Sequence, residues 1–144
     1  MSKINPFVDI DETDLKLIEL MISSPANKNN KQMSTTLGIS LSTVQRRLRN
    51  LSEKGVIVSR LHVDYEKLGY RTGLIHVYKM NGNSKEIVKT ISKLNGITSV
   101  ENYIGDSDIL VSVVYKLSSD LSDIIDSIKH IGGIKGVTWS ERIP

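Results

Sequence analysis

The sequence predicts an α+β protein, an N-terminal winged helix-turn-helix followed by a ferredoxin-like βαββαβ domain. Three observations carry this. Apolar residues recur at helical spacing up to about residue 54, the pattern turns to alternation after Gly55, and from residue 72 strands and amphipathic helices follow in the order β-α-β-β-α-β. A length of 144 residues is one ordinary domain or two small ones, and 39% hydrophobic with 24% charged residues describes a chain that folds around a core. The expected divisions are a helix-turn-helix over residues 1–60, a linker strand or hinge over 61–71, and a second domain over 72–144.

The first helix is expected from Asp11 to about Ser23, with Leu15, Ile18, Met21 and Ile22 inward and Asp9 or Asp11 as cap. Acidic residues in its first turn suit the helix dipole. Ser24-Pro25-Ala26-Asn27 breaks it, because proline pushes its predecessor out of helical geometry. A short second helix over about 30–37 places Met33 and Leu37 on one side and stops at Gly38. After the turn Gly38-Ile39-Ser40, a third helix runs from the Ser40 cap to Lys54, with Val44, Leu48 and Leu51 as its buried stripe and Gly55 as its exit.

Val56 to Val63, with Arg60 and His62 interspersed, reads as a strand or wing, and Leu68-Gly69-Tyr70 marks the junction to the second unit. There, residues 72–80 form a strand, Asn81-Gly82-Asn83 breaks it, and Ser84 caps a helix with Ile87, Val88, Ile91 and Leu94 inward. Strands follow at about 97–104 and 108–116, joined by Gly105-Asp106-Ser107. Ser118 or Ser119 caps the last helix, with Leu121, Ile124, Ile125, Ile128 and Ile131 inward, before a final strand at about 136–143. Leu94-Asn95-Gly96-Ile97 and Ile131-Gly132-Gly133-Ile134 echo each other, as if one β-α-β half had been used twice.

Composition removes several functions. A mean hydropathy of −0.15 and the lack of a long apolar run speak against a transmembrane helix, which needs roughly 20 such residues. The opening MSKINPFVDIDE turns acidic where a signal peptide would be apolar, and a chain with zero cysteines has no disulfide, thiol nucleophile or cysteine zinc site. A cytoplasmic location is the default. His62, His76 and His130 are dispersed, so no metal is expected; Asp9-x-Asp11-x-x-Asp14 lacks the glycine and terminal glutamate of a calcium loop. With no phosphate-binding loop and no nucleophile motif, neither an enzyme nor a cofactor is expected.

Charge points elsewhere. The net +3 of the chain resolves into −3 over residues 1–27, +6 over 28–60 and 0 over 61–144. A folded basic window of this kind is the footprint of a phosphate-binding surface, and its Arg46, Arg47, Arg49 and Arg60 fit phosphates and base edges better than lysines would. At about 100° per residue, burying Val44, Leu48 and Leu51 turns Ser42, Arg46 and Arg49 outward, flanked by Thr43 and Gln45. This is the equipment of a recognition helix in a major groove, where Arg forks onto guanine and Gln onto adenine. Arg47 lies nearer the core edge and suits a phosphate contact or a structural ion pair; Arg60 is expected to face the DNA backbone.

The run Leu37-Gly38-Ile39-Ser40-x-x-x-Val44-x-x-Arg47-x-x-x-Leu51-x-x-x-Gly55-Val56-Ile57, followed by Val63-Asp64-Tyr65-x-x-Leu68-Gly69, resembles the Lrp/AsnC (leucine-responsive, feast/famine) family of prokaryotic transcription regulators. Asp11 to Ile18 is similar to that family's opening helix, and Gly105-Asp106-Ser107-Asp108 to its Gly-x-x-Asp turn; Ser34 stands where a small Ala is common. The resemblance implies a regulator that binds double-stranded DNA and forms a homodimer through the sheet of its second domain, with further assembly to tetramers or octamers in many members. It also implies an amino-acid effector, carried onto Gly105, Asp106 and Asp108 in the turn, Tyr103 before it, and Thr138 and Ser140 on the last strand. A turn backbone offers N–H groups to a carboxylate, and a carboxylate takes an α-ammonium. The alternative function is an amino-acid-sensing interaction module that acts mainly through protein partners.

Overall fold

The computed structural model describes residues 7–23, 29–80 and 82–143. The expected break at Ser24-Pro25-Ala26-Asn27 and the turn residue Asn81 lie outside these. Two compact units result, Met1–Leu61 and His62–Pro144.

The first unit holds three helices, α1 (Glu12–Ser23), α2 (Asn30–Leu37) and α3 (Leu41–Glu53). Asp11 caps α1 reciprocally with Asp14: the Asp14 N–H donates to Asp11 Oδ1 at 2.9 Å and the Asp11 N–H to Asp14 Oδ2 at 3.2 Å. Asn29 and Gln32 make the same exchange at the start of α2. Gly38 ends α2 at φ 64°, its N–H returning to the Ser34 carbonyl. The Ser34 hydroxyl donates to the Ile39 carbonyl at 2.5 Å, so the residue that departs from the family pattern ties the turn between α2 and α3.

Leu17, Met33 and Val44 form the buried centre of this unit, with Leu20, Met21, Leu37, Ile39 and Leu48 packed around it. The stripe expected on α1 is therefore corrected. Leu17 is fully buried, whereas Leu15 is 48% and Ile22 73% exposed. Apolar residues surround α1, and periodicity alone does not say which arc faces inward.

Beyond α3, the Val56 and Ile57 N–H groups both return to the Leu51 carbonyl, at 2.9 and 3.2 Å. The strand or wing expected over Val56 to Val63 is absent: this stretch carries no regular structure. Alternation makes a strand only where a neighbour completes the ladder, and this segment pairs with no strand among the described residues.

The second unit opens with a 3-10 turn at Glu66–Leu68, so residues 61–71 hold a tight turn and not a linker strand. β1 (Arg71–Lys79), α4 (Ser84–Ile91), β2 (Ile97–Asn102), β3 (Ile109–Tyr115), α5 (Ser118–Lys129) and β4 (Ile134–Glu141) follow. The strands form an antiparallel sheet in the order β2-β3-β1-β4, the ferredoxin-like arrangement. Ile75, Val77, Ile109, Val111, Val113 and Tyr115 point to one face and bury Ile87 and Ile91 of α4 and Leu121, Ile124, Ile125 and Ile128 of α5. Two caps differ by one residue from expectation. Asn83, not Ser84, accepts the Lys85 N–H, and Asp120 accepts the N–H of Leu117, which precedes α5. The repeated Gly-Ile echo has a conformational cause, since Gly96 and Gly133 enter β2 and β4 at φ 84° and 88°.

Candidate nucleic-acid interface and effector turn

Ser40 starts α3 by accepting the Thr43 N–H at 3.2 Å, and its hydroxyl also meets Ser42 Oγ at 3.0 Å and Thr43 Oγ1 at 2.8 Å. The hydroxyls at the N-terminal end of the helix are thus preorganised as one cluster. Past them, Gln45, Arg46 and Arg49 are exposed, while Val44 and Leu51 are buried on the opposite side. Neither Arg46 nor Arg49 has an ion-pair partner among the described residues. α3 therefore gathers Ser42, Thr43, Gln45, Arg46 and Arg49 on one helix, with two guanidinium charges free for anions. Arg60 is exposed in the irregular segment after α3 and does not belong to that array.

Arg47 takes the other role open to it. Its Nη1 donates to Asp11 Oδ2 at 2.6 Å and to Asp14 Oδ1 at 2.9 Å, with only 22% of the side chain exposed. The two carboxylates raise the guanidinium pKa further above its already high value, Asp11 first and Asp14 second. In turn the carboxyl of Asp11 is held below the usual carboxylate range, chiefly by the Asp14 backbone N–H and then by Arg47. In the sequence these acids have the look of ordinary helix-start residues, and nothing local marks them as counter-charges to α3 beyond their i, i+3 spacing.

In the second unit the turn from β2 to β3 closes through a Tyr103 N–H to Asp108 carbonyl bond of 2.9 Å, with Gly105 at φ 144°. Asp108 also fastens this turn to β1: its N–H donates to the Val77 carbonyl at 3.1 Å and its Oδ2 accepts the Lys79 N–H at 2.7 Å. The Tyr103 hydroxyl donates to Glu101 at 2.9 Å, and that carboxylate holds the phenol pKa above its ordinary value. A cleft of about 310 Å³ lies here, lined by Tyr78, Lys79, Asp108, Lys135 and Gly136.

Thr138 pairs with His76 and reaches Tyr78, hydroxyl to hydroxyl, at 3.4 Å, which puts it beside that cleft. Ser140 pairs with Leu74, four residues from Tyr78 and so about 13 Å along the strand. It lines a different hollow, of about 490 Å³, with Tyr65 and Thr72. Of the six effector candidates, Tyr103, Gly105, Asp106 and Asp108 lie in or beside the β2–β3 turn, Thr138 meets the cleft through Tyr78, and Ser140 lies two residues further along β4.

No helix among the described residues is long and apolar enough to cross a membrane. The family described as winged helix-turn-helix DNA-binding matches residues 10–58. Over 128 residues the chain is 34% identical to the HTH-type transcriptional regulator LysM of Sulfurisphaera tokodaii, covering 88% of this chain and 89% of that protein. Among solved structures, E. coli AsnC superposes with a TM-score of 0.72 at 19% identity, covering 95% of this chain and 94% of that one. A Neisseria meningitidis transcriptional regulator solved in complex with L-Met gives 0.73 at 18% identity, covering 94% and 91%. With a helix-turn-helix match at its N-terminal end, a ferredoxin-like second unit and a 34% identical regulator covering most of its length, the chain belongs to the Lrp/AsnC family and is a DNA-binding transcription regulator.

Proposed function

We propose that the protein works as a homodimer in which each α3 reads one half-site of a specific operator. Ser42, Thr43, Gln45, Arg46 and Arg49 face bases or adjacent phosphates, and Arg60 faces the DNA backbone. Arg47, occupied by Asp11 and Asp14, is left out of that set. The observation that carries this reading is the exposed row Gln45, Arg46 and Arg49, whose two cations have no partner among the described residues. Half-sites about 34 Å apart, or a multiple of that, follow from two-fold pairing. A regulator that reads DNA works where the DNA is, in the nucleoid.

The face of the sheet that α4 and α5 leave open, with Leu74, His76, Leu110, Ser112 and Val114, supplies the dimer surface. An amino acid is the effector, taken at the turn of Asp108. This is supported by the L-Met bound to the Neisseria regulator and by the carboxylate and lysines around the small cleft.

Fluorescence anisotropy tests the reading, with a duplex that the protein selects from a random library set against a scrambled duplex, between about 50 and 200 mM salt. Preferential binding that weakens by orders of magnitude across that range is expected. Equal, weak and salt-insensitive binding to both duplexes, with amino-acid binding intact, would favour the interaction-module alternative.

A further inference from the structure

The face of α3 that turns away from solvent is held by charge as well as by apolar packing. Arg47 meets both members of the α1 capping box, since Asp11 and Asp14 accept from each other's backbone N–H groups and from the same Nη1. Seven residues on, Lys54 Nζ donates to the Asp9 carbonyl at 3.0 Å. Positions 47 and 54 are two turns apart and share one side of the helix axis. The acidic segment from Asp9 to Asp14 is therefore strapped along one flank of α3 at two points, and Leu17 and Val44 pack beneath it.

We propose that Arg47, Asp11 and Asp14 are positioning residues for operator recognition: the clamp sets the rotation and tilt at which α3 offers Gln45, Arg46 and Arg49 to the groove. The proposal rests on the DNA reading above. Its physical basis is geometric. Apolar side chains alone let a short helix slide and roll by small amounts, because dispersion is non-directional. A guanidinium whose Nη1 is shared by two carboxylates at 2.6 and 2.9 Å is held directionally, as apolar contact is not. Base reading by forked hydrogen bonds depends on that angle far more than phosphate contact does. The clamp also settles which arginines meet DNA. Arg47 follows Arg46 directly, but its charge is spent inside the unit and flanked by carboxylates that repel phosphate, so the attractive face of α3 narrows to Arg46 and Arg49.

A test separates positioning from contact. The wild type, Arg47→Gln, Arg47→Lys, Asp14→Asn and the double variant Arg47→Gln/Asp14→Asn are compared on the selected and scrambled duplexes over the salt range, well below each variant's melting temperature. Arg47→Gln is expected to lose about tenfold in preference for the selected duplex, with the slope of log K against log salt unchanged. Asp14→Asn should lose preference too, although it removes a negative charge. The double variant should be no worse than Arg47→Gln alone, and Arg47→Lys should recover part of the loss.

A salt slope that falls by about one in Arg47→Gln would make Arg47 a phosphate contact and overturn the clamp. So would tighter binding to both duplexes by Asp14→Asn, or a lower melting temperature with undiminished preference, the mark of a merely structural pair. A wild type with no preference at any salt would sink the operator reading itself, whereas a wild-type preference that Arg47→Gln keeps would sink only the clamp.

Discussion

The carboxylate of Asp108 accepts the backbone N–H of Lys79 at 2.7 Å, so the residue expected to take an effector's ammonium already fastens the β2–β3 turn to the end of β1. The strand pairing between β1 and β4 shifts register at the same place, between Tyr78 and Lys79. Asp108→Ala leaves that amide without its acceptor and should cost about 1–2 kcal/mol of stability. Asp108→Asn keeps an acceptor oxygen but removes the charge, and should hold the melting temperature while weakening amino-acid binding. Thermal unfolding alongside calorimetric titration with amino acids checks both, and unchanged binding by Asp108→Asn would remove Asp108 from the effector site.

Arg46→Ala is expected to cost roughly 1–3 kcal/mol of discrimination at one base step. Binding to a set of duplexes, each altered at one position, measures it. A uniform loss across all of them would show that Arg46 only holds phosphate.

The two arcs of α1 make a direct comparison. Leu17 is fully buried against Met33 and Val44, and Leu17→Ala should destabilise the first unit by about 2–5 kcal/mol. Leu15→Ala, on the exposed arc, should stay within about 0.5 kcal/mol. Urea titration followed by circular dichroism distinguishes them, and equal losses would contradict the packing of α1.

Gly96 has two constraints at once. Its φ of 84° is costly for a residue with a side chain, and an added Cβ would stand 2.7 Å from the Val114 carbonyl oxygen. Gly96→Ala should lower stability by about 2 kcal/mol or more, read as a fall in melting temperature of the second unit.

Acid should loosen the first unit in a stated direction. The Asp11 carboxyl titrates lower in the fold than in the unfolded chain, because the Asp14 N–H and Arg47 favour its charged form. Such a group contributes stability that is complete above its unfolded pKa of about 3.9 and is lost as pH falls through the lower folded value. The urea midpoint of the wild type should therefore drop below about pH 4, and Asp11→Asn should flatten part of that drop. An identical pH profile in the variant would remove Asp11 from the acid response.

Local chemistry made much of this protein legible before any coordinates. The Gly38 exit, the Ser40 cap and the spacing of Val44, Leu48 and Leu51 depend on neighbours within a few residues, and each lies where expected. The βαββαβ order follows from periods of two and 3.6 and from the glycines that enter β2 and β4. Outward placement of Gln45, Arg46 and Arg49 follows once the buried stripe of α3 is known.

What only the tertiary structure decided involves partners distant in the chain. Apolar residues surround α1, so the choice of Leu17 over Leu15 waits on α2 and α3. Arg47 could have served a phosphate or an ion pair, and Asp11 and Asp14, 36 and 33 positions away, took it for the pair. The stretch after Gly55 alternates like a strand but finds no partner strand among the described residues. Ser140 sits on the expected strand yet along it from the turn, a separation that the register of β4 against β1 sets and composition does not. Periodicity and caps are short-range properties written into neighbouring residues, whereas the arc a helix buries and the partner a charge finds are properties of the assembled chain.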